Sequence, residues 1–583
     1  MTATVQDLID ARIVTEDPVA SDYFAAIKAL VRERGAAATP EARLQWQQGI
    51  DRVYQLLRAE ILTNTAPPAT AVKFGTSGWR GLLGKDINVY SVASVTAAIL
   101  TMYQGLDHEQ ELREAACADS FAEVRARGCV LGFDNRFGGD LLAASAANVL
   151  AAAGVKILYA GEATTGCLSA SVLQNRAAFS INLTPSHNPL EYGGFKYNAA
   201  DGGPAAPILT NRITEQARAI IARNQSPFLP EGLDLQRPLP AIPGLIRVDA
   251  LKCWQEMVRT NQKHHGIEYD ATIKAFAENP ELVVAVDCVH GAARTVIREL
   301  FQQQAPERLL ILRGEADVTF GGIAPEPSSG NMQPVIATLH KRRERLKLGA
   351  IIDPDGDRIR FTDGTVEISM NQFGAMAYHF LHESKGKRGM VAKTVASSNL
   401  ANAIAKALGE KVFEPPVGFK EFKPVIGRAL VYFEESDGIS VIGHTPEKDA
   451  LIGLLLALDM VLTLGKNLGE ILRDIEHRYG AYFPERDGVT VSQQGPQLLE
   501  SLARLERYRE GEQILVGNSY REIKQVIAID GRKMIFTDNS WLMIRPSGTE
   551  PKVRFYVEAR NREDTAGLVT AAKSMLAEIG LLT

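Results

Sequence analysis

CVLGFDNRFGGDLLAASAANVL, residues 129–150, runs a short apolar strand into a polar, glycine-rich turn and then into a helix. The pattern returns as LVVAVDCVHGAARTVIREL at 282–300 and as GMVAKTVASSNLANAIAKAL at 389–408. Such alternation predicts α/β layers with largely parallel strands, and three copies predict three related domains. The proline-rich, aperiodic stretch from Pro227 to Pro243 marks the passage from the first to the second. The expected divisions are therefore 71–240, 241–366 and 367–480. Residues 481–583 read differently, with strands at Lys533 to Phe536, Trp541 to Ile544 and Val553 to Ala559 before a closing helix, Thr565 to Ile579. That predicts an α+β unit with antiparallel pairing. Residues 1–70 hold two helical patterns, Phe24, Ile27 and Val31, then Ile50, Val53, Leu57 and Ile61, the second opening at Thr39-Pro40. They are expected to form a helical extension that packs on a domain or on a second subunit.

At 583 residues, and roughly 100–200 per domain, three to five domains are expected. A composition of 45% hydrophobic and 23% charged residues is ordinary globular material. With 64 Lys+Arg against 69 Asp+Glu, the net charge of −5 gives no general attraction to nucleic acid or to an anionic membrane. Any phosphate recognition must be local. The five cysteines show no C-x-x-C spacing, which argues against a disulfide framework or a zinc site. Met1 to Ala20 lacks a basic start and an apolar run, and Leu451 to Leu464 is too short for a membrane span and carries Asp459. A buried helix and a cytoplasmic protein are expected. The basic run Lys341 to Lys347 reads as a solvated helix face.

The chemistry concentrates at LTPSHNPLEYGGFKYN, residues 183–198. Pro185 and Pro189 are expected to keep the backbone extended. Gly193-Gly194 would let the chain turn back and bring Lys196 beside Ser186 and His187. Alone, this is equally a capped turn. Far along the chain, Asp353-Pro-Asp-Gly-Asp-Arg358 follows the apolar run Leu348 to Ile352 and puts Asp353, Asp355 and Asp357 in one turn. Three such anions repel unless a divalent cation binds them through oxygen. An EF-hand fails on count, since its sixth position would be Arg358 and its twelfth Gly364. A solvated acidic turn stays open.

Arg545-Pro-Ser-Gly-Thr-Glu-Pro551 offers a guanidinium fork, the hydroxyls of Ser547 and Thr549, and a backbone turn at Gly548, which together suit a phosphate. A plain β-turn could use the same residues. Phe433-Glu-Glu-Ser-Asp-Gly438 sets Glu434 and Ser436 at alternate positions, fitting vicinal sugar hydroxyls, although an exposed acidic loop would look alike. Lys73 to Gly81, KFGTSGWRG, adds Thr76, Ser77 and Arg80 in a turn that suits a phosphoryl group but lacks the G-K-[ST] ending of a P-loop. Serine is a weak nucleophile but, once phosphorylated, a ready phosphoryl donor whose charge of about −1.5 to −2 requires a cation.

T-P-S-H-N-P with G-G-F-K-Y-N, the D-P-D-G-D-R loop, E-E-S and R-P-S-G-T-E, in that order over residues 71–583, resemble the α-D-phosphohexomutase superfamily. A-V-K-F-G-T-S-G and P-V-G-F-K at 416–420 resemble its bacterial phosphoglucomutase branch. The resemblance implies four domains around a central cleft, three α/β and one α+β. It implies that Ser186 is the phosphoserine and that Asp353, Asp355, Asp357 and a serine-phosphate oxygen bind Mg²⁺. It further implies that Arg80, His187, Lys196 and Arg358 hold the phosphoryl group or move protons. Lys393, Glu434, Ser436 and Lys448 match sugar contacts, and Arg545, Ser547, Gly548 and Thr549 match the distal phosphate site. The implied reaction interconverts glucose 1-phosphate and glucose 6-phosphate through a 1,6-bisphosphate, which also serves as activator. Hexose phosphates are then the partners of a monomer or homodimer that binds neither nucleic acid nor membrane. Phe433, where many members have glycine, Asp437-Gly438 after it, and Val417 depart from the pattern and put sugar choice in question. Mannose or dual specificity is the alternative within the class. A metal-dependent phosphatase would need neither the serine nor the second cradle, and a non-catalytic sugar-phosphate regulator should have lost Ser186 or an aspartate.

Overall fold

The computed structural model describes every residue except 1–3, 15–16, 18–19, 76–77, 494, 548–551 and 583. Across the first sheet the strands run Trp79–Leu82, Tyr192–Ala199, Phe179–Leu183, Cys129–Phe133, Ile157–Glu162 and Leu245–Arg247. Phe179–Leu183, Cys129–Phe133 and Ile157–Glu162 pair in parallel, because the helices Gly139–Ala152 and Thr165–Asn175 carry the chain back between them. Covered on both faces, the central strands are buried along almost their whole length, although Phe179–Leu183 carries Ser180 and Asn182 at alternate positions. After Phe179–Leu183 the serine loop turns the chain, which returns antiparallel as Tyr192–Ala199.

The second sheet is ordered Glu367–Ile368, Ile359–Thr362, Leu346–Ile352, Leu282–Asp287 and Leu309–Leu312. The third is ordered Val412–Phe413, Met390–Lys393, Ala429–Glu434 and Gly438–Val441. The fourth is antiparallel throughout, from Phe483–Thr490 through Lys552–Ala559, Trp541–Pro546, Arg532–Phe536 and Ser519–Ile527 to Gln513–Val516, and it packs against the helix Arg562–Glu578. Three α/β units and one α+β unit therefore stand as the sequence predicts. Two boundaries shift. Leu245–Arg247 extends the first sheet past residue 240, and Glu367–Ile368 extends the second past 366. Strands of three and two residues carry too little pattern for periodicity to register. The basic run is corrected as well: the helix Ser329–His340 ends before it, and Lys347 lies in a strand with its Nζ on the carbonyls of Leu339 and Arg342.

The extension forms the helices Tyr23–Ala36 and Pro40–Thr63, the second capped by Thr39 with Pro40 in its first turn. Their shared face, with Leu30, Val53, Leu57 and Ile61, is continuous with the core of the first unit, so the extension packs on its own domain. Ala450–Leu464 is a buried helix. Among the described residues, Val89–Asp107 is the one helical run long and apolar enough to cross a membrane, and 78% of its window is buried inside the molecule.

His265, fully buried at the end of the helix Ala250–His265, accepts the Ile267 N–H at Nδ1 over 3.1 Å. Burial, and then His444, bring its pKa down to about 3. The folded state binds fewer protons than the unfolded chain between pH 6.5 and 3, so the neutral ring contributes stability above pH 6.5 that is lost on acidification, by about 1.4 kcal/mol per pH unit. His265→Asn, which keeps an acceptor for Ile267, should flatten this part of the acid-unfolding profile. An unchanged slope would show that other groups set it.

Candidate active site

Ser186 stands at the crest of the loop with φ 57°, a left-handed conformation that costs any residue bearing a Cβ. The two prolines do not hold this position extended. The glycine pair also acts differently from the expectation: both glycines lie within the strand Tyr192–Ala199, where a Cβ on Gly194 would sit 2.3 Å from the Thr184 carbonyl oxygen. They permit close approach of the returning strand to the loop; the reversal itself is made by turns at 186–187 and 190–191. Arg80 pairs in register with Gly194, so it is tied to the serine loop through the same ladder, and its guanidinium donates to Asn188 Oδ1 over 2.6 Å.

The aspartate loop meets the serine from the second unit. Ser186 Oγ donates to Asp353 Oδ2 over 2.9 Å and lies 3.3 Å from Asp357 Oδ1. The loop is wound tightly around Asp353, whose Oδ1 accepts the N–H groups of Asp357 and Arg358, both at 3.0 Å, while Gly356 takes φ 65°. Thr165, from the first unit, donates through N–H and hydroxyl to Asp355. Lys196 does not reach the histidine as expected. Its Nζ goes instead to Asp355 Oδ2 at 2.5 Å and Asp357 Oδ2 at 2.7 Å. Burial opposes the Lys196 ammonium, but Asp355 and Asp357 outweigh it and raise its pKa. Burial raises Asp353 well above the usual carboxylate range, helped by Asp357 and Asp355. Burial would raise Asp357 too, but Lys196, Lys448 and Arg358 hold it well below.

All three aspartates are buried, and each offers a carboxylate oxygen within 4.8 Å of the others. Asp355 Oδ1 is buried with no hydrogen-bond partner. Crowded oxygen donors with an unsatisfied acceptor among them fit a hard divalent cation, with Ser186 Oγ at the same focus.

His187 lies 3.4 Å from Ser186 Oγ through Nδ1, while Arg358 Nη1 donates to its Nε2 at 3.5 Å. Desolvation, then Arg358 and Arg80, push its pKa well below the ordinary value. The ring is therefore neutral at pH 7.

A cleft of about 390 Å³ opens above this cluster and is walled by all four units. Arg80 and His187 come from the first, Arg358 from the second, Glu434, Ser436 and Lys448 from the third, and Arg545 and Ser547 from the fourth. Lys448 Nζ donates to Glu434 Oε1 at 2.8 Å and stands 3.8 Å from Asp357, linking the Glu434 loop to the aspartate loop. Seven Lys or Arg face three Glu in the lining, so a protein of net negative charge presents a positive cleft. Phe433 does not face the cleft; fully buried, it packs against Gly374, where a Cβ would lie 2.4 Å from its ring. Lys393 is not in the lining either. It is buried on Glu414 Oε1, 2.5 Å away, and on the Ser397 carbonyl. Thr76, Ser77, Gly548 and Thr549 lie outside the described residues.

Several residues that motif reading missed complete the far wall. Arg554 sits directly across the strand pair from Arg545, and Lys552, Tyr556 and Arg486 join them in the lining. Asp530, 3.0 Å from Arg545, offsets part of the repulsion between like charges placed opposite on a sheet, and an anion between them would offset more. The alternation Lys552, Arg554, Tyr556 on one strand face was the available signal.

Comparison with known proteins covers the same ground. Models of phosphoglucomutase/phosphomannomutase domains match in order: alpha/beta/alpha domain I at residues 71–224, domain II at 266–366, domain III at 369–479 and the C-terminal domain at 503–573. Phosphoglucomutase 1 of Drosophila melanogaster is 25% identical over 560 residues, 88% of this chain and 95% of that protein. The phosphoglucomutase of Komagataeibacter xylinus is 26% identical over 85% of this chain and 89% of its own. Among solved structures, the open form of parafusin, a Paramecium phosphoglucomutase, superposes with a TM-score of 0.65 at 20% identity, covering 88% of this chain and 96% of that one.

Proposed function

Because the chain belongs to the phosphoglucomutase/phosphomannomutase family, and so is a phosphohexomutase of the isomerase class, we propose that it interconverts glucose 1-phosphate and glucose 6-phosphate through a phosphorylated Ser186. One observation carries the reading: a strained, buried serine lies within hydrogen-bond reach of two clustered aspartates, and its neighbours His187, Asn188 and Arg358 line the same cleft as a cross-strand pair of arginines from the fourth unit. A hexose bisphosphate has two phosphates to place, and the cleft has two places for them.

In this reading the phosphoryl group leaves Ser186 for the free hydroxyl of the sugar monophosphate, giving a 1,6-bisphosphate that turns over and returns its other phosphate. Arg80 and Arg358 hold the transferring oxygens. The sugar hydroxyl gives up a proton and Ser186 Oγ takes one. His187, which faces Oγ through Nδ1, and Lys196, the ammonium of the same buried cluster, hold and move it. Asp353, Asp355, Asp357 and an oxygen on Ser186 would hold Mg²⁺, which when bound withdraws charge from the phosphoryl group. Glu434, Ser436 and Lys448 take the ring hydroxyls, and Arg545 and Ser547, joined by Lys552 and Arg554, take the phosphate that is not transferred. Glucose 1,6-bisphosphate would recharge an enzyme that has lost its phosphate. We place this activity in the cytoplasm, in a monomer or homodimer without nucleic-acid or membrane partners.

The test is interconversion of glucose 1- and 6-phosphate with Mg²⁺ and catalytic glucose 1,6-bisphosphate, with mannose phosphates in parallel. A kcat/KM at least about tenfold higher for glucose, worth about 1.4 kcal/mol of discrimination, is expected. Equal efficiency would make the enzyme dual in specificity, and a reversed ratio would make it a phosphomannomutase.

A further inference from the structure

Arg136 is 7% exposed and does not line the cleft, yet it holds the serine loop by its backbone. Its guanidinium donates to the carbonyls of Ser186 at 2.7 Å and Pro189 at 2.8 Å and to that of Asn188, with Tyr192 at 3.4 Å. Nε faces Asp134 Oδ2 at 3.4 Å. Asp134 accepts the Thr184 hydroxyl at 2.6 Å, and that hydroxyl accepts the Ser186 N–H at 2.9 Å. The planar guanidinium thus braces the carbonyl side of a residue held at φ 57°, and the Thr184 hydroxyl, anchored on Asp134, holds its N–H side. A lysine could not copy this, since its three donors radiate from one point.

The face of the Arg136 guanidinium is covered by Phe320, 5.0 Å to the ring centroid and fully buried. Phe320 belongs to the second unit, on a segment gripped by the N-terminal extension. Arg34 reaches Thr319 Oγ1 at 3.2 Å and Asp317 at 3.7 Å, and Tyr54 OH reaches the Val318 carbonyl at 3.5 Å. Gly322 lies so close to Val31 that a Cβ would come within 2.7 Å of it. Tyr54 also stacks on Phe137, next to Arg136, at 4.4 Å between centroids.

From this juxtaposition we propose that Arg136 is a positioning residue for the Ser186 loop, and that the N-terminal extension serves the reaction by holding Phe320 over it. The effect on turnover rests on Ser186 being the phosphoryl carrier; the effect on the loop does not. Steady-state kinetics and amide hydrogen exchange of residues 184–192 are measured on full-length Arg136→Lys, Phe320→Leu and Phe320→Tyr. Arg136→Lys should lower kcat about 100-fold, the cost of roughly an ångström of misplacement. KM for glucose 1-phosphate should stay within about threefold, because Arg136 makes no cleft wall, and loop exchange should quicken about tenfold. Phe320→Leu should lower kcat about tenfold in the same manner, and Phe320→Tyr, which keeps the ring, should restore it. A folded Arg136→Lys with wild-type kcat and wild-type loop exchange overturns the proposal, as does a Phe320→Tyr no better than Phe320→Leu. If Arg136→Lys does not fold, the Phe320 pair decides alone. If no mutase turnover is found in the wild type, loop exchange still decides the positioning role while the functional reading fails separately.

Discussion

Replacing Ser186 with alanine should lower kcat for glucose phosphate interconversion by at least about 10⁴-fold, since loss of a covalent carrier removes the pathway itself rather than one stabilising contact. Binding of glucose 6-phosphate should persist, because the wall built from Arg545, Ser547 and Arg554 is untouched by the change. A coupled assay gives the first quantity and calorimetry the second. Turnover within tenfold of the wild type would sink the phosphoserine reading. The alanine also loses the hydroxyl that meets Asp353, so metal affinity is worth measuring on the same sample.

The second large effect is expected at Asp353→Asn, where activity and stability should move in opposite directions. Losing one carboxylate should cost about 10³-fold in kcat, about 4 kcal/mol of transition-state stabilisation. Without metal, the three buried carboxylates repel, and Asp353 is the one driven furthest toward protonation, by burial and by its two neighbours. The metal-free variant should therefore melt higher than the metal-free wild type. Adding Mg²⁺ stabilises the wild type by linkage, about 2.7 kcal/mol at one hundred times Kd, and should do far less for the variant. A variant that melts lower without metal and gains as much from Mg²⁺ as the wild type would remove these aspartates as the metal site.

The strand–turn–helix copies and the alternating aspartates were legible in sequence because each is a local pattern with its own physical period. The helical extension was legible for the same reason, down to the Thr39-Pro40 start. What stayed hidden depends on partners that only the folded chain brings together, from ten to nearly two hundred residues away. Lys393 ends a strand as several site residues do, but its face is decided by Glu414 within the third unit, so it is buried away from the cleft. Arg136 sits in a turn that reads as ordinary, and only the fold brings four loop carbonyls and the Phe320 ring around it. Gly193 and Gly194 look like a turn because glycine pairs often are one; here they clear space within a strand, which no single-chain pattern distinguishes.

Lys196 has one more implication, for the order in which the molecule can be assembled. The residue is 4% exposed, and its ammonium is neutralised by Asp355 and Asp357, which follow it by 159 and 161 residues. At about 5–20 residues per second, a ribosome takes on the order of ten to thirty seconds to cover that interval. Throughout it, the two carboxylates that neutralise this cation in the folded molecule are not yet made. The charge balance of the serine cluster is thus completed only when the second unit has been made.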